Sequence, residues 1–183
     1  MTPDELIVEG RAWVIAAYPY NREHLIKTLE WLDAVEPGAP PPVRLAALTH
    51  DMERAFPGND QPVMRYLSDA EYEQAHAARS AVIVGAWLRG LKADETLVTG
   101  VETLIRAHEV GGWHEADLVQ AADSLSFLEV NIDLFAGFIR KGRFSADDVR
   151  QKIEHMYERI RIPRLKQLAD PLVVAARQRL AQA

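Results

Sequence analysis

The stretch LTHDMERAF, residues 48–56, sets a histidine and an aspartate side by side in a run whose apolar spacing is that of a buried helix. Leu48, Met52, Ala55 and Phe56, preceded by Leu45, Ala46 and Ala47, make up the apolar face. Asp51 falls on that face, with Ala47, Leu48 and Ala55 as its neighbours one turn away on either side. A carboxylate is costly to bury unless it is paired or binds a metal. The simplest alternative is a helix edge, with Asp51 facing solvent or paired to Arg44 or Arg54.

Working outward from the doublet, the pattern is helical almost throughout. Thr2-Pro3-Asp4-Glu5 reads as a capping box with proline at the first helical position, opening a helix that ends near Tyr18-Pro19. Asn21 can cap a second helix to about Val35, which EPGAPPP stops. The third helix carries LAALTHDMERA and ends at Pro57-Gly58. Ser68 with Glu71 forms another capping box for a long helix to about Leu91, and 94–109 a fifth, closed by Gly111-Gly112. Further helices are expected at about 115–129 and 130–140. A long one opens at Ser145 and is kinked or split by Pro163, and a last one follows Asp170-Pro171. No β-alternation, repeat or low-complexity tract competes, so the fold class is all-α.

The totals narrow the chemistry. The 183 residues suit one domain with a real core, and 48% hydrophobic against 26% charged residues is an ordinary globular balance. A net charge of −6 argues against a nucleic-acid partner, since phosphate backbones need clustered cations. The cationic runs RKGRF and RIRIPRLK are therefore read as solvated or internally paired. There is no cysteine, so any metal must be held by imidazole and carboxylate. The first twenty residues lack a signal-peptide layout and their longest apolar run is too short for a bilayer, so the expectation is a cytoplasmic protein with no membrane partner.

Candidate ligands recur on five successive helices: His24, then His50-Asp51, His76, His108 and Asp123. His108 shares a face with Leu104 and Ile105, and Asp123 with Val119 and Phe127. Bundles build metal sites in this way, one ligand per facing helix. His24, His50, Asp51 and Asp123 would serve one metal position, and His76 with His108 a second. Consecutive helical residues point about 100° apart, so His50 can serve one metal while Asp51 bridges two. His114 is read as a cap or rim residue and His155 as a surface histidine.

The ordered set His24, His50-Asp51, Asp123, with the doublet in ALTHDMERA and the last aspartate in QAADSLSF, resembles the HD-domain metalloproteins. The extra histidines His76 and His108 are similar to the variant seen in bacterial dinucleoside-tetraphosphate hydrolases and cyclic-dinucleotide phosphodiesterases. The Gly-Tyr-Pro element of the latter is absent, and Glu53 lies two residues after Asp51 where one branch of the family places a glutamate at three. The resemblance spans about residues 20–130. It implies an HD-like helical bundle over 1–130, with C-terminal helices of 131–183 packing on it in the same domain.

It also implies one or two divalent ions (Fe, Mn, Mg, Co, Ni or Zn) and hydrolysis of a nucleotide-like or other small phosphoester or anhydride by water activated on the metal. Asp51 and Asp123 would be the catalytic carboxylates. Arg22, Lys27 and Arg79, beside the histidines, would hold the phosphate of a small-molecule substrate, with Arg106 another basic neighbour. Two alternatives use the same ligands: a di-iron oxygenase cleaving a small polyol or phosphonate, and a non-catalytic ligand-binding or regulatory module. Oligomeric state stays open, a homodimer among the options.

Overall fold

The computed structural model describes residues 1–67 and 69–182, and no strand occurs among them. The helices are α1 (Pro3–Ala17), α2 (Arg22–Val35), α3 (Pro41–Thr49), α4 (Ala70–Gly90), α5 (Glu95–Ala107), α6 (His114–Val130), α7 (Ile132–Arg140), α8 (Ala146–Glu158) and α9 (Pro163–Ala181). A single 3-10 turn, Met52–Ala55, follows α3. No helix is long and apolar enough to cross a membrane.

Local chemistry accounts for most boundaries. Thr2 and Glu5 close the expected capping box on α1, and Ser145 with Asp148 closes another on α8. Asp69 accepts from the backbone N–H groups of Glu71 and Tyr72 and so caps α4, while the expected cap at Ser68 lies outside the described residues. Asn21 stands at the N-cap of α2 but makes no side-chain cap bond.

Two boundaries depart from the pattern. Residues 50–55 do not continue α3: it ends at Thr49, and the doublet occupies its C-terminal end before the 3-10 turn. His50 donates from Nδ1 to the Ala47 carbonyl at 3.0 Å, meeting one of the acceptors a helix end leaves over. Pro171, in turn, does not open a last helix but sits inside α9, which Pro163 starts. Leu165, Ala169, Val173 and Ala176 keep one buried face running through the proline, and that packing offsets the missing N–H.

The helix α6 is the axis of the molecule. It is buried on nearly all sides from Ala116 to Leu128, and it carries small or apolar residues around its whole circumference, as a core helix must. On one side it packs against α2, α3 and α5, and on the other against α7, α8 and α9. Gly111 and Gly112 turn the chain from α5 into α6 with positive φ. A Cβ on Gly111 would meet Asp117 Oδ1 at 2.3 Å, so this reversal needs glycine. It brings the end of α5 against the middle of α6, where the polar residues gather.

Candidate metal centre

Six side chains from five segments meet at α6. His24 comes from α2, His50 and Asp51 from the end of α3, His76 from α4, His108 from the end of α5 and Asp123 from α6. None is more than 4% exposed. Their ligand-type atoms form three overlapping groups within 4.8 Å: His24, His50 and Asp51; His50, His108 and Asp123; Asp51, His76 and His108. Asp51 therefore belongs to two clusters, one on either side of it.

Each imidazole is anchored by one nitrogen and leaves the other facing the cluster. His50 and His108 are the C-cap residues of α3 and α5, and each donates from Nδ1 to the carbonyl three residues back, Ala47 and Ile105. Ser126 Oγ donates to the His24 carbonyl and so accepts from His24 Nδ1 at 2.9 Å. His76 donates from Nε2 to Glu109 Oε1 at 3.1 Å. Among the described residues, His50 Nε2, His76 Nδ1, His108 Nε2 and Glu53 Oε1 are buried with no hydrogen-bond partner. Orphaned lone pairs in a dry site are costly unless something accepts them, and ligating histidines are held in this fashion.

The spacing also fits a cation. Two atoms about 2.1 Å from one ion stand about 3 Å apart at a right angle and about 4.2 Å when opposite. Asp123 Oδ1 is 3.0 Å from His24 Nε2 and 3.5 Å from His50 Nε2. Asp51 Oδ1 is 3.9 Å from His50 Nε2 and 3.7 Å from His76 Nδ1. A set of imidazoles and carboxylates without thiolate suits Fe, Mn, Co, Ni, Zn or Mg.

Charge points the same way. Asp51, Glu109 and Asp123 meet two guanidiniums: Arg54 pairs with Asp51, and Arg159 pairs with both Glu109 and Asp123. The third negative charge is left to an imidazolium or a bound cation to answer. Burial opposes ionisation of all three carboxyls, yet Arg54 beside Asp51, His108 and Arg159 beside Glu109, and Arg159 beside Asp123 hold them below the usual carboxylate range. Burial likewise opposes a charge on His50, but Asp123 and Asp51 raise it to about 9. Burial and the Arg54 charge push His76 down to about 4, which leaves it neutral with a lone pair to offer.

The pairing of Asp51 with Arg54 is thus real, but Asp51 is buried and Arg54 half-buried, so neither sits on a solvent-facing helix edge. Arg44 goes instead to Asp33. The basic residues expected at the phosphate are elsewhere. Arg22 caps α1 through the Ile15 carbonyl, and Lys27 pairs with Glu30 and Glu129. Arg79 grips Asp60 and Glu53, and neither it, Arg22, Lys27 nor Arg106 lines the cavity above the cluster. That cavity, about 450 Å³, is lined instead by Arg54, Arg143 and Lys152, together with His24, Asp51, Glu109 and Asp123 at its floor. His114 is exposed at the first turn of α6, and His155 is half-buried near Glu73 and Lys152.

Two residues of the centre escaped the sequence reading. Glu109, next to His108, touches both His76 and His108, and its adjacency to a candidate ligand was the one available signal. Arg159 sits at the C-cap of α8, some 36 residues beyond Asp123; it opens the RIRIPRLK run, read from sequence as solvated or internally paired, but nothing there pointed to this centre. No family model, no curated protein and no solved structure matches the chain.

Proposed function

We propose that the protein is a metal-dependent phosphohydrolase of the HD-domain type, acting on a small phosphoester or phosphoanhydride. The observation that carries this reading is the convergence of His24, His50, His76 and His108 on Asp51 and Asp123, each imidazole anchored at one nitrogen and open at the other. His24, His50, Asp51 and Asp123 would hold one cation. Asp51, His76 and His108 would hold a second, Asp51 belonging to both groups. A bound divalent ion supplies a Lewis acid for a phosphoryl oxygen and lowers the pKa of water.

The remaining work falls to the chain. Arg54 and Arg159 keep Asp51 and Asp123 ionised, so both are ligands and orienters of the attacking water rather than proton carriers. Arg54 touches Asp51 and also lines the cavity, which makes it the guanidinium placed to meet a non-bridging phosphoryl oxygen. Tyr72 holds it there through Nε at 3.2 Å. Burial under the cavity excludes bulk water and strengthens each of these interactions.

The test is elemental analysis of the purified protein beside phosphoester, nucleotide and dinucleotide substrates under several divalent ions. Bound metal with metal-dependent release of phosphate is the expected result. Dioxygen consumption without phosphate release would replace this reading with the oxygenase one. Bound metal with neither activity would leave a ligand-binding module.

A further inference from the structure

We infer that the substrate of this site is a monophosphate ester whose organic part is apolar, an aryl or alkyl group, rather than a nucleotide; this rests on the hydrolytic reading above. The cavity has two unlike ends. Its floor is the His/carboxylate cluster, and one apolar wall is built by Met64, Phe127, Leu134, Phe135, Phe138 and Met156, with Tyr20, Asn21, Gln61 and Tyr72 elsewhere in the lining. Phe127 and Phe135 meet edge to face at 5.0 Å, as do Phe135 and Phe138 at 5.4 Å, so the rings form one continuous apolar surface. Most of that wall comes from α6, α7 and α8, and the last two belong to the part of the chain, beyond residue 130, that the resemblance left without a role. A pocket of this volume takes a small molecule, and its lining sets the character of what is buried there.

The distribution of cations excludes a second phosphate along the wall. Lys152 is held by Glu73 at 3.2 Å and Arg159 by Glu109 and Asp123, while Arg54, paired with Asp51, stands at the cluster end and serves the one phosphoryl group there. Arg143 is exposed and lies over the faces of Phe138 and Phe144, 5.0 and 5.3 Å from their centroids. A polyphosphate needs several free cations close together, and among the described residues of the lining Arg143 is the one cation without a carboxylate partner. Among the described residues, the buried polar atoms of the lining left without a partner, away from the metal-facing set, are Tyr18 Oη and Asn131 Oδ1. Both are neutral, so they suit at most a hydroxyl or carbonyl on the substrate's body.

In the reaction, the oxygen of water bonds to phosphorus and the ester P–O bond breaks with its electron pair on the leaving oxygen. That oxygen takes a proton, and the products are an apolar alcohol and inorganic phosphate.

Binding tests the inference apart from turnover. With the protein supplemented with Mn²⁺, calorimetry compares benzylphosphonate with methylphosphonate, adenosine monophosphate and adenosine triphosphate. Benzylphosphonate is expected to bind at least about tenfold more tightly than the other three. Phe138→Ala, and separately Leu134→Ala, should narrow the benzyl-over-methyl preference by about tenfold. Equal binding of the two phosphonates, tighter binding of either nucleotide, or no binding of any of the four overturns the inference. The comparison on the unaltered protein stands even if a variant misfolds. A benzyl preference without hydrolysis of phenyl phosphate upholds the apolar site and defeats the hydrolytic reading alone.

Discussion

Arg159 and Asp123 form an ion pair in which both side chains are buried, and the same guanidinium reaches Glu109 and Ser124. One residue at the end of α8 thus ties the C-terminal helices to the polar centre. Removing it strands two buried carboxylates. Arg159→Ala should destabilise the metal-free protein by about 3–5 kcal/mol. Saturating divalent ion should recover part of that loss, because a cation answers the same negative charge. Denaturant unfolding with and without metal measures both numbers, and a loss below about 1 kcal/mol would show the pair to be energetically idle.

Each of the three ligand groups contains at least one residue of the doublet. His50→Ala and Asp51→Ala are expected to abolish metal content and any phosphatase activity, with the helical circular-dichroism spectrum largely kept. Elemental analysis of the double variant decides the matter. Full metal occupancy there would place the ion elsewhere or nowhere in this cluster.

Ser126 touches no candidate metal position, yet it fixes His24 by accepting from Nδ1 and donating to the His24 carbonyl. Ser126→Ala frees the ring to rotate or change tautomer. Metal affinity should fall about 10–100-fold with little change in fold. A chelator competition titration reads this directly, and unchanged affinity would contradict the anchoring role.

Metal and proton compete at His50, whose pKa in the metal-free protein is raised from 6.5 to about 9. Binding as a ligand requires the neutral ring, so apparent metal affinity should rise with pH by up to about tenfold per unit until about 9. The charged ring also stabilises the metal-free fold. That contribution is full below about 6.5 and is lost as pH rises through about 9, so the metal-free melting temperature should decline over this window. Saturating metal should suppress the decline. Melts and competition titrations across the same pH range check both.

Pro171 is exposed within α9 and deprives the Gln167 carbonyl of its helical donor. Pro171→Ala should therefore stabilise the protein by up to about 3 kcal/mol. The melting temperature should rise by about 2–4 °C for each kcal/mol. A lower melting temperature would mean that the proline is favoured by something other than helix geometry.

How far the centre could be read from the chain depended on whether its signals were local. His24, His76 and Asp123 lie inside amphipathic or buried helices, where spacing alone turns a polar residue inward. His50 and His108 also turn inward, but through a different device. Each ends its helix and is oriented by a carbonyl that the helix end leaves free, which periodicity does not reveal. Arg22, Lys27 and Arg79 were chosen for nearness along the chain, and the helices carry all three away from the cavity lining. Glu53 has a buried, unpartnered Oε1 near His76 but does not line the cavity.

By itself the sequence determined the all-α class, the caps and breakers that bound most helices, and the six polar residues that burial would have to reconcile. These follow from interactions within a few residues of each other. Only the tertiary structure decided that α6 lies at the centre, that Glu109 and Arg159 balance the carboxylates, and that α7 and α8 wall the cavity with phenylalanine. Such contacts join residues tens of positions apart, and their energy comes from desolvation shared among helices, a quantity that no single stretch of chain contains.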